Sequence, residues 1–313
     1  MRRSLLSGTI SGFSVAALAA GGFVMCGPAT AVSKAEDPQQ ISTAASSFLG
    51  AFGTNDGWRV DRHPRLLGDV NRDGREDIVG FANDGVWVSY GQANGTVSAP
   101  AKKVNAFGYS AGGWRVDLHP RELADVNGDG RQDIVGFASD GVWVSYGQAG
   151  NTFSAPAKKV NAFGTNDGWR VDRHPRLLGD VNRDGREDIV GFANDGVWVS
   201  YGQANGTVSA PAKKVNAFGY SAGGWRVDLH PRELADVNGD GRQDIVGFAS
   251  DGVWVSYGQA GNTFSAPAKV VSAFGYDQNW RVDQHPRLLG DIDGNGKDDI
   301  VGFGIAGTYI NTF

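Results

Sequence analysis

Nine-residue stretches rich in aspartate recur through this 313-residue chain. They read DVNRDGRED at 69–77 and 180–188, DVNGDGRQD at 125–133 and 236–244, and DIDGNGKDD at 291–299. Positions 1, 3, 5 and 9 carry side-chain oxygens in every copy, and position 6 is glycine. Oxygens at alternate positions around a sharp turn suit a hard divalent cation, and three carboxylates this close repel unless something neutralises them. The candidate ligands are Asp69, Asn71, Asp73 and Asp77; Asp125, Asn127, Asp129 and Asp133; Asp180, Asn182, Asp184 and Asp188; Asp236, Asn238, Asp240 and Asp244; and Asp291, Asp293, Asn295 and Asp299. Position 7 (Arg75, Arg131, Arg186, Arg242, Lys297) offers its backbone carbonyl. Position 12 is glycine and the flanks read as strands, which excludes an EF-hand; the ninth-position Asp closes the loop instead. Five or more protein oxygens leave little room for the waters magnesium keeps, so the expected cofactor is calcium at about five structural sites.

A second set of residues could bind an organic ligand. The segment from Phe-Gly to His-Pro-Arg differs between copies (FGTNDGWRVDRHPR, FGYSAGGWRVDLHPR, FGYDQNWRVDQHPR) and offers Tyr109, Trp114 and His119, then Tyr220, Trp225 and His230, then Tyr276, Trp280 and His285. Aromatic faces stack on the apolar face of a sugar, while His and Arg donate hydrogen bonds. Packing between sheets is the competing role for Trp58, Trp114, Trp169, Trp225 and Trp280 and the one favoured for each, and it is also the better reading for Trp87, Trp143, Trp198 and Trp254, with Tyr309 in their place in the last unit.

All of these residues sit in one repeating unit. The five histidines, at 63, 119, 174, 230 and 285, each precede Pro-Arg, and residues 51–158 recur unchanged at 162–269. In the first unit, strands are expected over 65–70, 77–82, 86–91 and 96–104, with the acidic loop and two Gly turns between them. The middle strands are apolar on both faces, so each four-stranded antiparallel sheet must be covered by neighbours. Four strands per unit and five units predict an all-β fold, a five-bladed β-propeller. The last unit stops after its third strand. Residues 42–53, ending in Ala-Phe-Gly like every outer strand segment, are expected to supply the missing strand and close the ring.

Arg2 and Arg3 precede an apolar run ending near Ala29-Thr30-Ala31, which reads as an export signal over 1–31. The segment 32–47 leads into the closing strand, and 48–313 forms the propeller. The single cysteine, Cys26, falls inside the signal, so disulfides cannot stabilise the secreted chain, and neither lipid anchoring nor membrane insertion is expected. Loss of Arg2 and Arg3 takes the net charge from -5 to -7, and five calcium ions would bring it to +3. No clustered basic surface points to nucleic acid. Five equivalent histidines supply no single asymmetric constellation of acid, base and nucleophile, so no enzyme activity is expected.

The combination of WRVD-x-HPR, the DVNGDGR loop and DIVGF followed by GVWVS resembles the repeats of the VCBS/FG-GAP superfamily, particularly those of the Psathyrella velutina lectin type. The resemblance covers 48–313. It implies a calcium-binding propeller holding N-acetylglucosamine or sialic acid between blades, with glycans or glycoconjugates as partners. That lectin type is similar to a seven-bladed ring, and fewer blades change the wedge between sheets. The alternative is a calcium-stabilised scaffold for cell-surface proteins without sugar specificity.

Overall fold

The computed structural model describes residues 49–313. The expected export signal and most of the closing strand lie outside these residues. Five antiparallel sheets follow one another along the chain, forming a five-bladed β-propeller. Blade one comprises Arg65–Gly68, Asp77–Ala82, Gly85–Ser89 and Ala101–Val104, paired in that order. Blades two to four repeat it from Arg121, Arg176 and Arg232, and blade five is described with three strands, Arg287–Gly290, Asp299–Gly304 and Gly307–Asn311.

The outer strand is shorter than the expected 96–104. Pro100 has no N–H to give a ladder, so regular pairing starts at Ala101, with a single bridge between Gly91 and Val97 before it. Pairing then slips by one residue between Val86 and Trp87, a bulge that ends the sheet's outer edge.

Stability comes from packing between sheets. Val79, Phe81, Val86 and Val88 of blade one are fully buried in a cluster with Phe107, Trp114 and Ile134 of blade two, and three further clusters join each later pair of neighbours. No cluster among the described residues joins blade five to blade one. The outward face of blade five is therefore exposed: Phe303 is 42% accessible, whereas Phe81, Phe137, Phe192 and Phe248 are sealed at the equivalent position. Ile310 (55%) and, on the opposite end, Leu67 of blade one (66%) are exposed for the same reason.

Each blade is entered through an Ala-Phe-Gly turn in which the phenylalanine adopts a left-handed backbone. Phe52, Phe107, Phe163, Phe218 and Phe274 have φ between 60 and 63 degrees, a conformation bulky residues avoid. Their carbonyls accept from the guanidinium of the following His-Pro-Arg, as in Arg121 Nη1 to Phe107 at 3.0 Å and Arg176 Nη1 to Phe163 at 3.1 Å. The turn also drives each phenylalanine ring into the core against the next tryptophan, and this packing offsets the strain.

Candidate functional sites

The acidic loops connect the first and second strands of each blade. The ninth-position aspartate is the most deeply buried member: Asp77, Asp133, Asp188, Asp244 and Asp299 are all fully covered. In blade two, Asp133 accepts from Val126 N–H at 3.2 Å and from Gly147 N–H at 2.9 Å, clamping the loop to the third strand's exit. Equivalent pairs hold Asp77, Asp188, Asp244 and Asp299. Position 1 accepts loop amides as well; Asp125 takes Gly128, Asp129 and Gly130 at 2.7, 3.1 and 2.6 Å. Glycine at position 6 is required here because its φ is near 80 degrees in every loop.

Burial pushes the carboxyl of Asp77 up to about 6, of Asp133 and Asp188 up to about 8 and of Asp244 up to about 7, with the other loop carboxylates pushing the same way and the backbone amides opposing. A cation at the loop centre would remove both penalties. In blade one the Oδ1 of Asn71 is buried without a partner, an oxygen free to act as a ligand. Hard oxygen donors with no nitrogen or sulfur among them fit calcium.

The loops are not alike in how their carboxylates are placed. In blade five, Asp291, Asp293 and Asp299 bring one oxygen each within 4.8 Å of one another. Among the described residues this is the loop in which three carboxylates converge. In the other four, position 5 turns toward the side chain of position 7: Asp73 to Arg75 at 2.5 Å, Asp184 to Arg186 at 2.6 Å, Asp240 to Arg242 at 3.4 Å and Asp129 to Arg131 at 3.5 Å. The guanidinium acts there as an internal counter-ion. Sequence reasoning assigned position 7 a carbonyl and missed its side chain; the alternation of Arg with Asp two residues earlier was the available signal.

The second site lies where blades one and two meet. Trp114 and His119 line a groove of about 630 Å³ together with Asn105, Ser110, Ser139, Asp140 and Trp143. The indole of Trp114 is held between Phe107 (centroids 5.0 Å apart) and the edge of His119 (5.7 Å). Its far edge rests on Gly136, where a Cβ would lie 2.4 Å from the ring. Nδ1 of His119 accepts from the Arg115 amide at 3.2 Å, so the neutral ring carries its proton on Nε2 and donates to Ser139 Oγ at 2.9 Å. Burial lowers the His119 pKa, which favours that neutral form. On the other wall, Asp140 accepts from Trp143 Nε1 at 3.0 Å and from Lys158 at 3.0 Å; these bonds, the indole first, hold it below the usual carboxylate range.

Blade four repeats this arrangement. His230 meets Ser250 at 3.0 Å, and Trp254 donates to Asp251 at 2.9 Å. Blades one, three and five differ, because a single-turn helix (Thr54–Asp56, Thr165–Asp167, Tyr276–Gln278) stands where blades two and four carry Ser-Ala-Gly-Gly. The hydroxyl opposite histidine is also replaced, by Asn83 and Asn194 in blades one and three and by Ile305 in blade five.

The expected grouping of Tyr, Trp and His is thus only partly assembled. Trp114 with His119, Trp225 with His230 and Trp280 with His285 come together in each case. Tyr109 (48% accessible) and Tyr220 (61%) stand outside, and the Arg62 guanidinium lies over the Tyr109 ring at 5.5 Å. Tyr276 is covered by Arg281 at 3.7 Å from its centroid. The mid-blade Trp143 packs against the cluster between blades one and two, as read from the sequence, and also lines the groove, as do Ser139 and Asp140 of the turn before it.

A family model for FG-GAP-like repeats matches residues 236–302, an inner strand's acidic loop through to the next blade. That stretch of the chain is therefore similar to an FG-GAP-like repeat. A solved lectin from Agrocybe aegerita, described as recognising non-reducing terminal N-acetylglucosamine, is 42% identical over 83% of this chain, with a TM-score of 0.80. The match spans 65% of that lectin's length. The Photorhabdus luminescens Tc holotoxin pore shares the fold at 17% identity, over 85% of this chain and 11% of its own, with a TM-score of 0.56. No curated protein matches the sequence.

Proposed function

We propose that this FG-GAP-like propeller is a secreted, non-enzymatic, calcium-loaded lectin that binds glycans ending in N-acetylglucosamine or sialic acid in grooves between blades. The observation that carries the reading is the groove at Trp114, with one indole wall, a neutral imidazole fixed as a donor toward Ser139, and an anionic acceptor in Asp140. An aromatic wall for the apolar face of a sugar ring, with a few fixed donors and acceptors around it, is what pyranose recognition requires. Similarity to the Agrocybe lectin supports the terminal N-acetylglucosamine class. Because blades two and four share the groove's residues, two equivalent sites per chain are expected, and their avidity for clustered glycans exceeds the affinity of either alone. Calcium supports the grooves from the opposite end of the inner strands, held by positions 1, 3, 5 and 9 and the position-7 carbonyl of each loop.

Titration of the full chain with N-acetylglucosamine and sialyllactose, together with a glycan array run with and without calcium, tests this. About two sites per chain, both lost in the paired Trp143→Ala and Trp254→Ala variant, are expected. Folded, calcium-loaded protein that binds no glycan would overturn it. The exposed face of blade five supports the other reading, a scaffold that docks a protein, and such a result would leave that reading standing.

A further inference from the structure

The acidic loops are not isolated from one another. At each of the four junctions between blades, the residue before the closing aspartate of one loop donates its N–H to the carbonyl of the first aspartate of the preceding loop. The bonds are Gln132 to Asp69 at 3.0 Å, Glu187 to Asp125 at 3.0 Å, Gln243 to Asp180 at 3.1 Å and Asp298 to Asp236 at 2.8 Å. A second tie reinforces every junction, and its chemistry alternates. Between blades one and two, and three and four, the position-4 arginine reaches across: Arg72 Nη1 donates to Asp129 O at 2.7 Å and Arg183 Nη1 to Asp240 O at 2.6 Å. Between blades four and five the tie is a carboxylate, Asp298, accepting from Asp236 N–H at 2.8 Å, and Glu187 accepts from Asp125 N–H in the same way between blades two and three.

Position 4 follows the same alternation. Arg72 and Arg183 hold φ of 65 and 63 degrees, a left-handed backbone costly for arginine. Gly128 and Gly239 occupy that position in blades two and four, where the next loop comes so close that a Cβ would lie 2.9 Å from Arg186 Cγ and 3.2 Å from Lys297 Cγ.

We infer that the loops form one coupled array, in which calcium held by one loop raises the affinity of its neighbours. This rests on the calcium reading above. An ion that fixes Asp69 also fixes the carbonyl that positions Gln132, and Gln132 immediately precedes the closing ligand Asp133. The entropy of ordering a junction is spent once and shared by the two ions it serves, which is positive coupling. Repulsion between neighbouring ions acts the other way and is screened by salt.

The test is calorimetric titration of calcium into the metal-stripped full chain in 0.15 M salt, with melting temperature followed alongside and bound metal counted by elemental analysis. The comparison variant is Arg72→Gly with Arg183→Gly, which installs the residue found at position 4 of the other three loops and removes two side-chain ties but no ligand. The wild type is expected to load with a Hill coefficient above 1, and the variant to bind the same number of ions along a shallower curve. Wild-type sites that fill independently, or a variant curve as steep as the wild type's, would overturn the coupling while leaving calcium binding in place. Absence of bound metal, with a melting temperature indifferent to chelator, would instead overturn the calcium reading itself.

Discussion

Gly136 shows how a single atom governs the groove. Its missing Cβ leaves room for Trp114, and the same relation holds for Gly80, Gly191, Gly247 and Gly302 with their own tryptophans. Gly136→Ala forces the indole and Phe107 outward, and overpacking of this kind costs about 1–3 kcal/mol. Urea denaturation should show that loss, and weaker glycan binding should accompany it, because Trp114 is also a wall of the groove. Gly290→Ala is the control for backbone effects, since Gly290, like Gly136, is a strand glycine without a left-handed φ, while nothing lies within 4 Å of the new methyl. Histidine is as firmly placed as tryptophan. All five rings accept an amide from the arginine four residues earlier, at 3.0 to 3.2 Å, which settles their tautomer.

The inner strands carry a charge pattern with a pH signature. Glu122 and Glu233 occupy the position held by Leu66, Leu177 and Leu288 in the other blades. Burial pushes Glu122 up to about 8 and Glu233 up to about 7, outweighing the attraction of Arg176 and Arg121 for the first and of Arg232 and Arg287 for the second. Each glutamate keeps a proton in the fold that the unfolded chain gives up near its ordinary value of 4.5. Their contribution is therefore complete below that value and is lost as the pH rises through about 7 to 8. Denaturation midpoints should fall between pH 5 and pH 8, and a Glu122→Gln, Glu233→Gln variant should flatten that slope relative to the wild type.

At this scale the sequence was largely readable. Apolar strands bounded by glycine turns, and loops of alternating oxygens, depend on neighbours along the chain, and their strand order and glycine turns appear in the structure as expected. The Ala-Phe-Gly turn was not readable, because the left-handed phenylalanine depends on an arginine 13 or 14 residues later reaching its carbonyl. Trp143 packs against the core as expected, but that it also lines the groove while Tyr109 does not was not readable. Which aromatic lines a groove depends on contacts with the neighbouring blade, and the Arg62 guanidinium of blade one lies over the Tyr109 ring.

For the molecule as a whole, burial depends on having a neighbour. Phe137 and Phe303 occupy equivalent positions, yet the first is sealed by blade three and the second is exposed on the outward face of blade five. Phe137→Ala should cost about 3–5 kcal/mol, the usual price of truncating a buried phenylalanine, while Phe303→Ala should change stability by less than about 1 kcal/mol. Equal losses for the two would mean that something covers the blade-five face in solution. Dye-binding fluorescence offers a second check, because wild-type protein should bind an apolar probe there and Phe303→Ser should reduce the signal.

Identical units also set a problem for the chain as it folds. The outer strand Ala101–Val104 has the same sequence as Ala212–Val215, so the third strand of blade one can pair with either and gains the same ladder. Side-chain complementarity cannot tell the right partner from the wrong one. Only the shorter tether can, by making the local pairing form first. In a crowded solution the same strands on another molecule compete on equal terms, so the yield of monomer on refolding should fall as protein concentration rises, with exchanged, entangled pairs in its place.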